Sequence, residues 1–163
     1  MTGKRFDNEI RITPSVLDRL LDYEPELSSE PAKSRSRSLS ELKQSVRRDL
    51  EWLLNTRRYA GEISDRLEET NRSLMLYGLP DFTALGAKNP HEQRRLTKEL
   101  EAALKLFEPR FIDLKVTLTP PDKFERVFRF KIEARLRVEP APEPVVFDTV
   151  LQLGSGEYQV QEK

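Results

Sequence analysis

The chain has 163 residues, which suffices for one domain with a sizeable core plus some flexible sequence and leaves little room for a second full domain. Its 28 Lys and Arg residues balance 28 Asp and Glu residues, so no net field draws the protein to a phosphate backbone or an anionic membrane. We therefore predict that it binds no nucleic acid. Nowhere do about 18 apolar residues run together, so we also predict no insertion into a membrane. The absence of cysteine excludes disulfides and thiolate metal sites and favours the reducing cytoplasm.

Residues 1–37 are predicted to form an N-terminal arm, and residues 38–163 to form the folded domain. In the arm, apolar residues at helical spacing follow Thr13 and Pro14, which predicts a short amphipathic helix ending near Asp22. Residues 24–38 mix proline, serine and charge without an apolar period, which indicates a mobile linker. Arg35 and Arg37 leave RNA binding as an alternative, although a solvated linker is the commoner meaning of such a run.

The strongest helical pattern of the first half follows Ser38 and Glu41, which have the spacing of a capping box. Its apolar stripe is expected in the core, and its charged face is more often solvated than bound to a partner. Trp52, the sole tryptophan, adjoins the stripe; it suits either the core or an interface, and we favour the core. The stripe comprises Leu42, Val46, Leu50, Leu53 and Leu54.

The middle of the chain is predicted to hold a short helix within residues 66–75, a turn at residues 77–81 and then a longer helix. Asn89 and Pro90 supply the N-cap and the first-turn proline of that longer helix. Pro109 disfavours the helical conformation of Glu108, so the helix should end there. The solitary His91 follows the N-cap, where an exposed side chain is expected.

The last third of the chain changes to a period of two residues, which is the pattern of half-buried strands. A first strand spans residues 112–119, and a turn is expected at residues 120–123. A long strand follows from Phe124 to Val138, then a third over residues 145–153 and a short fourth around Tyr158 and Val160. Helices followed by a meander of antiparallel strands predict a single α+β domain.

Residues suited to catalysis or cofactor binding are scarce. One histidine cannot supply a metal triad or a Ser/His/Asp set, and the six glycines form no phosphate loop. A pair of carboxylates of the glycosidase kind is conceivable in any chain with 28 acids, but the sequence gives it no positive support. We therefore expect no catalytic residue, no metal site and no cofactor.

Glu108 places a negative charge at a helix C-terminus, where the helix dipole disfavours it by about 0.3–1 kcal/mol. Arg110 lies two residues further on and is able to neutralise this charge within the chain. Alternatively, Glu108 and Arg110 project together into the charged groups of a partner. From physical chemistry alone, we favour the internal pair.

Four segments in series resemble TssE, a family of type VI secretion baseplate subunits related to a phage-tail wedge protein. They are PSVLDRL at residues 14–20, SVRRDLEWLLNTR at residues 45–57, YGLPD at residues 77–81 and FEPR at residues 107–110. Together they extend over most of the chain. The resemblance implies a structural subunit that catalyses nothing, although an old lysozyme-like label of the family leaves a peptidoglycan hydrolase as the alternative.

The resemblance also implies partners and binding residues. The expected place is the cytoplasmic baseplate wedge with TssF, TssG and TssK, around the VgrG spike, where the sheath of TssB and TssC begins. The Glu-Pro-Arg motif is implicated in holding the wedge together, which favours a partner-facing Glu108. Similarity to the interlocking domain of the sheath implies that sheath strands add to an exposed edge of the terminal strands. The implied partner-binding residues are Arg47, Arg48, Asp49, Arg57, Glu108, Pro109 and Arg110, and the implied edge residues are Val145, Phe147, Leu151, Tyr158 and Val160.

Overall fold

The computed structural model describes residues 12, 14–21, 25–26, 35–59, 61, 63–64, 66–82, 89–119 and 127–162. Helices come first and a four-stranded antiparallel sheet comes last, in the order β1-β2-β3-β4, which confirms the predicted α+β meander. The helices are α1 (Val16–Leu20), α2 (Arg35–Asn55), α3 (Glu68–Asn71), a single 3₁₀ turn (Leu74–Leu76) and α4 (Pro90–Phe107). The strands are β1 (Phe111–Thr119), β2 (Val127–Leu136), β3 (Glu143–Gln152) and β4 (Glu157–Glu162).

Helix α2 begins earlier than the sequence predicted. It begins at Arg35, so Ser38 lies inside the helix and the prediction that it caps the helix was wrong. Arg37 and Glu41 form an i,i+4 ion pair of 3.1 Å, which supports the additional first turn. The end of the predicted linker is therefore helical, while residues 27–34 lie outside the described residues.

Local signals define helix α4 at both ends. The Asn89 side chain accepts a hydrogen bond from the backbone N–H of His91 at 3.0 Å, and Pro90 occupies the first turn. The helix ends at Phe107, and Glu108 is its C-cap, as Pro109 predicted. His91 is exposed.

The sheet has one register irregularity, on its outer strand β1. The register shifts between Ile112 and Lys115, and Asp113 has a φ of +54°, a conformation uncommon outside glycine. β2 pairs with β3 from Val127–Gln152 to Leu136–Glu143 without interruption. The predicted turn at residues 120–123 and the predicted start of the long strand at Phe124 lie outside the described residues.

Helices α2 and α4 cover the apolar side of the sheet, with α2 packed against β4 and α4 against β1. The alternating apolar residues of β2 predicted from the sequence are buried in the resulting core. The most deeply buried side chains are Phe128, Phe130, Phe147, Leu50, Leu54, Leu79, Leu96, Leu100, Leu104, Ile132, Leu136 and Leu151.

Candidate functional site

Three segments that are distant in sequence meet in a network of charged and polar side chains, which we call the polar network. Helix α1 contributes one acid, the middle of α2 contributes a serine, an arginine and an acid, and the turn between α4 and β1 contributes an acid and an arginine. Four of the six residues were predicted from the sequence as partner-binding residues. The network comprises Asp18, Ser45, Arg48, Asp49, Glu108 and Arg110.

Glu108 is the buried end of this network, with only 4% of its surface exposed. The Arg110 side chain donates to both of its carboxylate oxygens, with an Nε–Oε1 distance of 2.6 Å, and the Arg110 backbone N–H donates to Oε1 at 3.2 Å. This bidentate pair neutralises the charge that the C-terminus of α4 disfavours. The structure therefore contains the internal Glu108–Arg110 pair that physical chemistry favoured, and a contact of Glu108 with a partner stays a prediction.

Arg110 connects the turn to α2. Its Nη2 also donates to Asp49 Oδ2 at 2.7 Å, and its Nη1 lies 3.4 Å from Ser45 Oγ. Burial lowers the pKa of Arg110, but the hydrogen bonds and charges of Glu108 and then Asp49 outweigh this effect and raise the pKa. Arg110 is therefore a fixed cation between two acids.

Asp18 fastens the short helix α1 to α2. Its carboxylate accepts hydrogen bonds from Arg48 Nη1 at 2.8 Å, from Ser45 Oγ at 2.6 Å and from Ser15 Oγ at 2.5 Å. Burial acts to raise the pKa of Asp18, but these hydrogen bonds and the charge of Arg48 lower it to about 2. Arg48 in turn binds Asp49 at 2.9 Å, which closes the network between the three segments.

The apolar side chains of α1 are exposed although the helix is held in place. No residue of α1 is buried, and Val16 and Leu20 are 73% and 77% exposed.

Trp52 is 52% exposed, so the preference for a core position was wrong. It follows Arg48 by one helical turn, away from the buried leucines, and the Arg48 guanidinium lies 5.1 Å from its ring centroid. Pro109 is exposed beside the network. Val16 and Leu20 each lie two residues from Asp18, Trp52 contacts Arg48, and Pro109 lies between Glu108 and Arg110; for the proposal below, we call these four exposed residues the docking surface.

Two of the sequence motifs pack on each other at the end of α2. The Leu79 backbone N–H donates to Thr56 O and the Arg58 N–H donates to Leu79 O, both at 2.9 Å, in an isolated parallel bridge. Gly78 makes the close approach possible because its φ is +103° and a Cβ there would lie 2.3 Å from Thr56 O. Arg57 lies 3.5 Å from Asp81 and takes no part in the polar network.

Tyr77 connects this loop with the polar network. Its ring packs edge-on against Phe107 at a centroid distance of 5.2 Å and an interplanar angle of 72°. Burial raises the pKa of Tyr77, and the negative charges of Asp49 and Glu108 raise it further. The loop therefore supports the turn that carries Arg110. Arg47, in contrast, is exposed and takes no part in the network.

The residues predicted to form an open strand edge are placed differently. Phe147 and Leu151 lie on β3, which pairs with β2 on one side and β4 on the other, so the prediction of an edge position was wrong for them. Val145 pairs with Ala134 of β2, and β4 pairs only with Phe147–Gln152. Tyr158 and Val160 do lie on the outer strand β4. All five side chains are buried, so they stabilise the core.

Helix α2 closes the outer edge of β4, which sequence reasoning missed. The Asn55 side chain accepts from the Tyr158 backbone N–H at 2.8 Å and donates to the Tyr158 carbonyl at 2.9 Å. Glu51 Oε1 accepts from the Val160 N–H at 3.4 Å. The residues that make these bonds are more than 100 positions apart, and no local pattern connects them.

The family assignment rests on a sequence profile that matches the part of the chain carrying most of the polar network. The sequence profile described as baseplate wedge protein gp25 matches residues 40–141, more than half of the chain. The chain belongs to the gp25 baseplate wedge family. Comparisons with curated proteins and with solved structures found no match. The gp25 match contains α2 from residue 40 onward together with α4, β1 and β2, and with them all of the polar network except Asp18.

Membership of the gp25 family confirms the resemblance found in the sequence and assigns the chain a structural role in a phage-tail-like baseplate. Such a role requires contact with other baseplate components. Among the described residues, no helix has the length and apolar character to cross a membrane. The same part of the chain holds no group of three or more His, Cys, Asp or Glu side chains placed to bind a metal ion.

Proposed function

We propose that this gp25-family chain is the TssE-type wedge subunit of a type VI secretion system. It lies in the cytoplasm and catalyses nothing. It joins the wedge proteins TssF, TssG and TssK, near the VgrG spike, to the sheath proteins TssB and TssC, and it promotes the first ring of the sheath. Family membership supports the baseplate role, and the docking surface supports the contact with the wedge.

The observation that carries the proposal is that α1 is tied to α2 by charged hydrogen bonds while large apolar side chains on both helices stay in water. Asp18 fixes α1 by charged hydrogen bonds, while Val16 and Leu20 point away from the core. Covering each of these side chains in an interface contributes about 1.5–3 kcal/mol. Trp52 under the Arg48 guanidinium adds the two residue types that most often anchor protein interfaces. These features are typical of a surface that another protein covers.

The geometry supports different roles for the three residues of the Glu-Pro-Arg motif. Glu108 acts as a positioning residue, because it is buried and holds the Arg110 guanidinium. Arg110 retains 25% exposure of its side chain, and Pro109 is exposed, so these two are available to a partner. Loss of Glu108 is therefore expected to weaken wedge binding indirectly, through disorder of the turn.

The pairing of Glu108 gives no support to the hydrolase alternative. A glycosidase general acid carries a proton on a carboxyl group that reaches the substrate. The Glu108 carboxylate is instead buried and bound on both oxygens by a permanent cation. The acid within the family-like motif therefore has a structural role.

The proposal is tested by co-purification of the chain with TssF and TssG. Leu20→Glu and Trp52→Glu place charges on the docking surface and should reduce the recovered complex at least tenfold, the effect of about 1.4 kcal/mol. Leu74→Glu is the matched control for Leu20, since Leu74 is 81% exposed and lies outside this surface. Tyr59→Glu is the corresponding control for Trp52.

Circular dichroism of each variant verifies the fold before binding is compared. Equal recovery of the wedge complex by all four variants would refute the proposed docking surface. Loss of binding in the two control variants alone would place the interface on the segment that follows α2, which contains Tyr59 and the 3₁₀ turn.

A further inference from the structure

The sheet has two outer strands, β1 and β4, and each is a possible template for an added strand. Addition requires backbone N–H and C=O groups that point outward and have no partner. The two edges differ in this respect.

The edge of β4 is closed by its own helix α2. The carboxamide of Asn55 donates one hydrogen bond to Tyr158 and accepts another from it, so it satisfies both backbone groups of that residue as a neighbouring strand would. Glu51 accepts from the next outward N–H, that of Val160. Further along, Lys43 forms an ion pair of 3.3 Å with Glu162. A strand arriving at β4 would have to displace these contacts.

The edge of β1 has two parts. Its first part contains the register shift and the positive φ of Asp113, whose carboxylate pairs with Arg135. A bulge of this kind on an outer strand hinders pairing with another strand. The second part, from Lys115 to Thr119, pairs regularly with β2. Within the described part of the chain, no hydrogen bond or ion pair joins the outer side of this second part to another element.

The side chains of the second part indicate what suits this edge. Leu118 in this part, and Leu114 just before it, are only half-buried against the core, so an added strand with apolar residues on that side would complete their burial. On the opposite side Lys115 is exposed, and an acidic residue directly across from it would be favourable.

We infer that residues 115–119 of β1, and not β4, receive a strand from another protein of the contractile tail. The added strand is an extended segment in which apolar residues alternate with acidic or polar ones. This inference rests on the proposed attachment of the sheath and specifies where on this chain the attachment occurs. The edge of β4 remains closed by Asn55 and Glu51.

Single cysteines test the inference, because the chain contains none of its own. Thr117→Cys and Gln159→Cys place a thiol at an exposed position of β1 and of β4, respectively. Each variant is treated with a short thiol-directed photo-crosslinker and mixed with purified TssB–TssC. Crosslinking to a sheath subunit should be at least about fivefold greater from position 117 than from position 159.

The possible outcomes separate the inference from the proposed function. Preferential crosslinking from position 159 would overturn the choice of β1 and leave sheath attachment intact. Absence of crosslinks from both positions, in a chain that still co-purifies with TssF and TssG, would overturn strand addition and leave the wedge role intact. Position 117 could instead crosslink two copies of this chain to the same extent with and without sheath protein. That result would identify a second copy as the occupant of the β1 edge and would contradict the inference.

Hydrogen exchange provides a readout that introduces no mutation. In the isolated chain, the amides of Tyr158 and Val160 should exchange slowly because side chains of α2 accept from them. Addition of TssB–TssC should slow exchange at least about tenfold within residues 115–119 and leave residues 157–162 unchanged. Slowing confined to residues 157–162 would overturn the inference.

Discussion

The pair formed by Glu108 and Arg110 allows a quantitative test of the polar network. Removing one member of a buried ion pair costs about 3–5 kcal/mol, because the other charge stays behind without compensation. Arg110→Ala leaves the buried Glu108 carboxylate at the C-terminus of α4 without its cation, so we expect a loss near the upper part of that range. Glu108→Ala should cost less, about 2–3 kcal/mol, because Arg110 is 25% exposed and keeps Asp49 at 2.7 Å.

The double variant Glu108→Ala/Arg110→Ala measures the coupling between the two side chains. It should be more stable than the sum of the single losses predicts, by about 2 kcal/mol, since neither charge is then left unpaired. The assay is urea unfolding followed by far-ultraviolet circular dichroism, with the free energy of unfolding extrapolated to water. Arg94→Ala serves as the matched control, because Arg94 is an exposed arginine of α4 outside the network. Additive losses below about 1 kcal/mol each would refute the account of a buried, coupled pair.

Three further predictions concern the loop, the acid dependence and the closed edge. Gly78→Ala should destabilise the chain by at least about 2 kcal/mol, through positive φ and a clash with Thr56 O, whereas Gly154→Ala should change stability by less than about 1 kcal/mol because no atom lies within 4 Å of its Cβ position. Both values come from urea unfolding, and equal effects would contradict the prediction. Asp18 has a pKa of about 2 in the folded chain, below its usual 3.8, so its stabilising contribution is present above pH 4 and is lost as the pH falls toward 2. The stability difference between wild type and Asp18→Asn should therefore shrink over this interval, and a constant difference would refute the assignment. Asn55→Ala removes two hydrogen bonds to the backbone of β4 and should cost about 1–3 kcal/mol, with faster amide exchange in β4; unchanged exchange there would contradict the closure.

The elements predicted correctly from the sequence were those set by neighbouring residues. The N-cap Asn89 and the stop at Pro109 act within a few positions, so they locate both ends of α4. The alternation from Phe128 to Leu136 likewise reports directly which side of β2 is buried. The N-cap predicted at Ser38 was wrong because such local signals compete with one another. Helix α2 begins one turn earlier, where Arg37 and Glu41 form an i,i+4 ion pair.

The features that the sequence did not predict depend on contacts between distant segments. Asp18 meets Arg48 across 30 positions, and Asn55 meets Tyr158 across 103 positions, so neither bond leaves a local pattern. Trp52 adjoins the apolar stripe but lies on the side of α2 that bears Arg48, and its exposure depends on what packs there. The resemblance located the Glu-Pro-Arg motif but favoured a partner-facing Glu108, whereas the position of this acid at a helix C-terminus indicated its pair with Arg110.

The single tryptophan permits the most direct measurement of wedge docking. The chain is labelled biosynthetically with fluorotryptophan, so that Trp52 gives one fluorine resonance, and is titrated with unlabelled TssF–TssG. We predict that complex formation shifts this resonance and protects it from a soluble paramagnetic quencher, because the partner covers an indole that is 52% exposed in the free chain. A resonance that stays unshifted and fully quenchable, while size-exclusion chromatography shows the complex, would contradict docking through this surface.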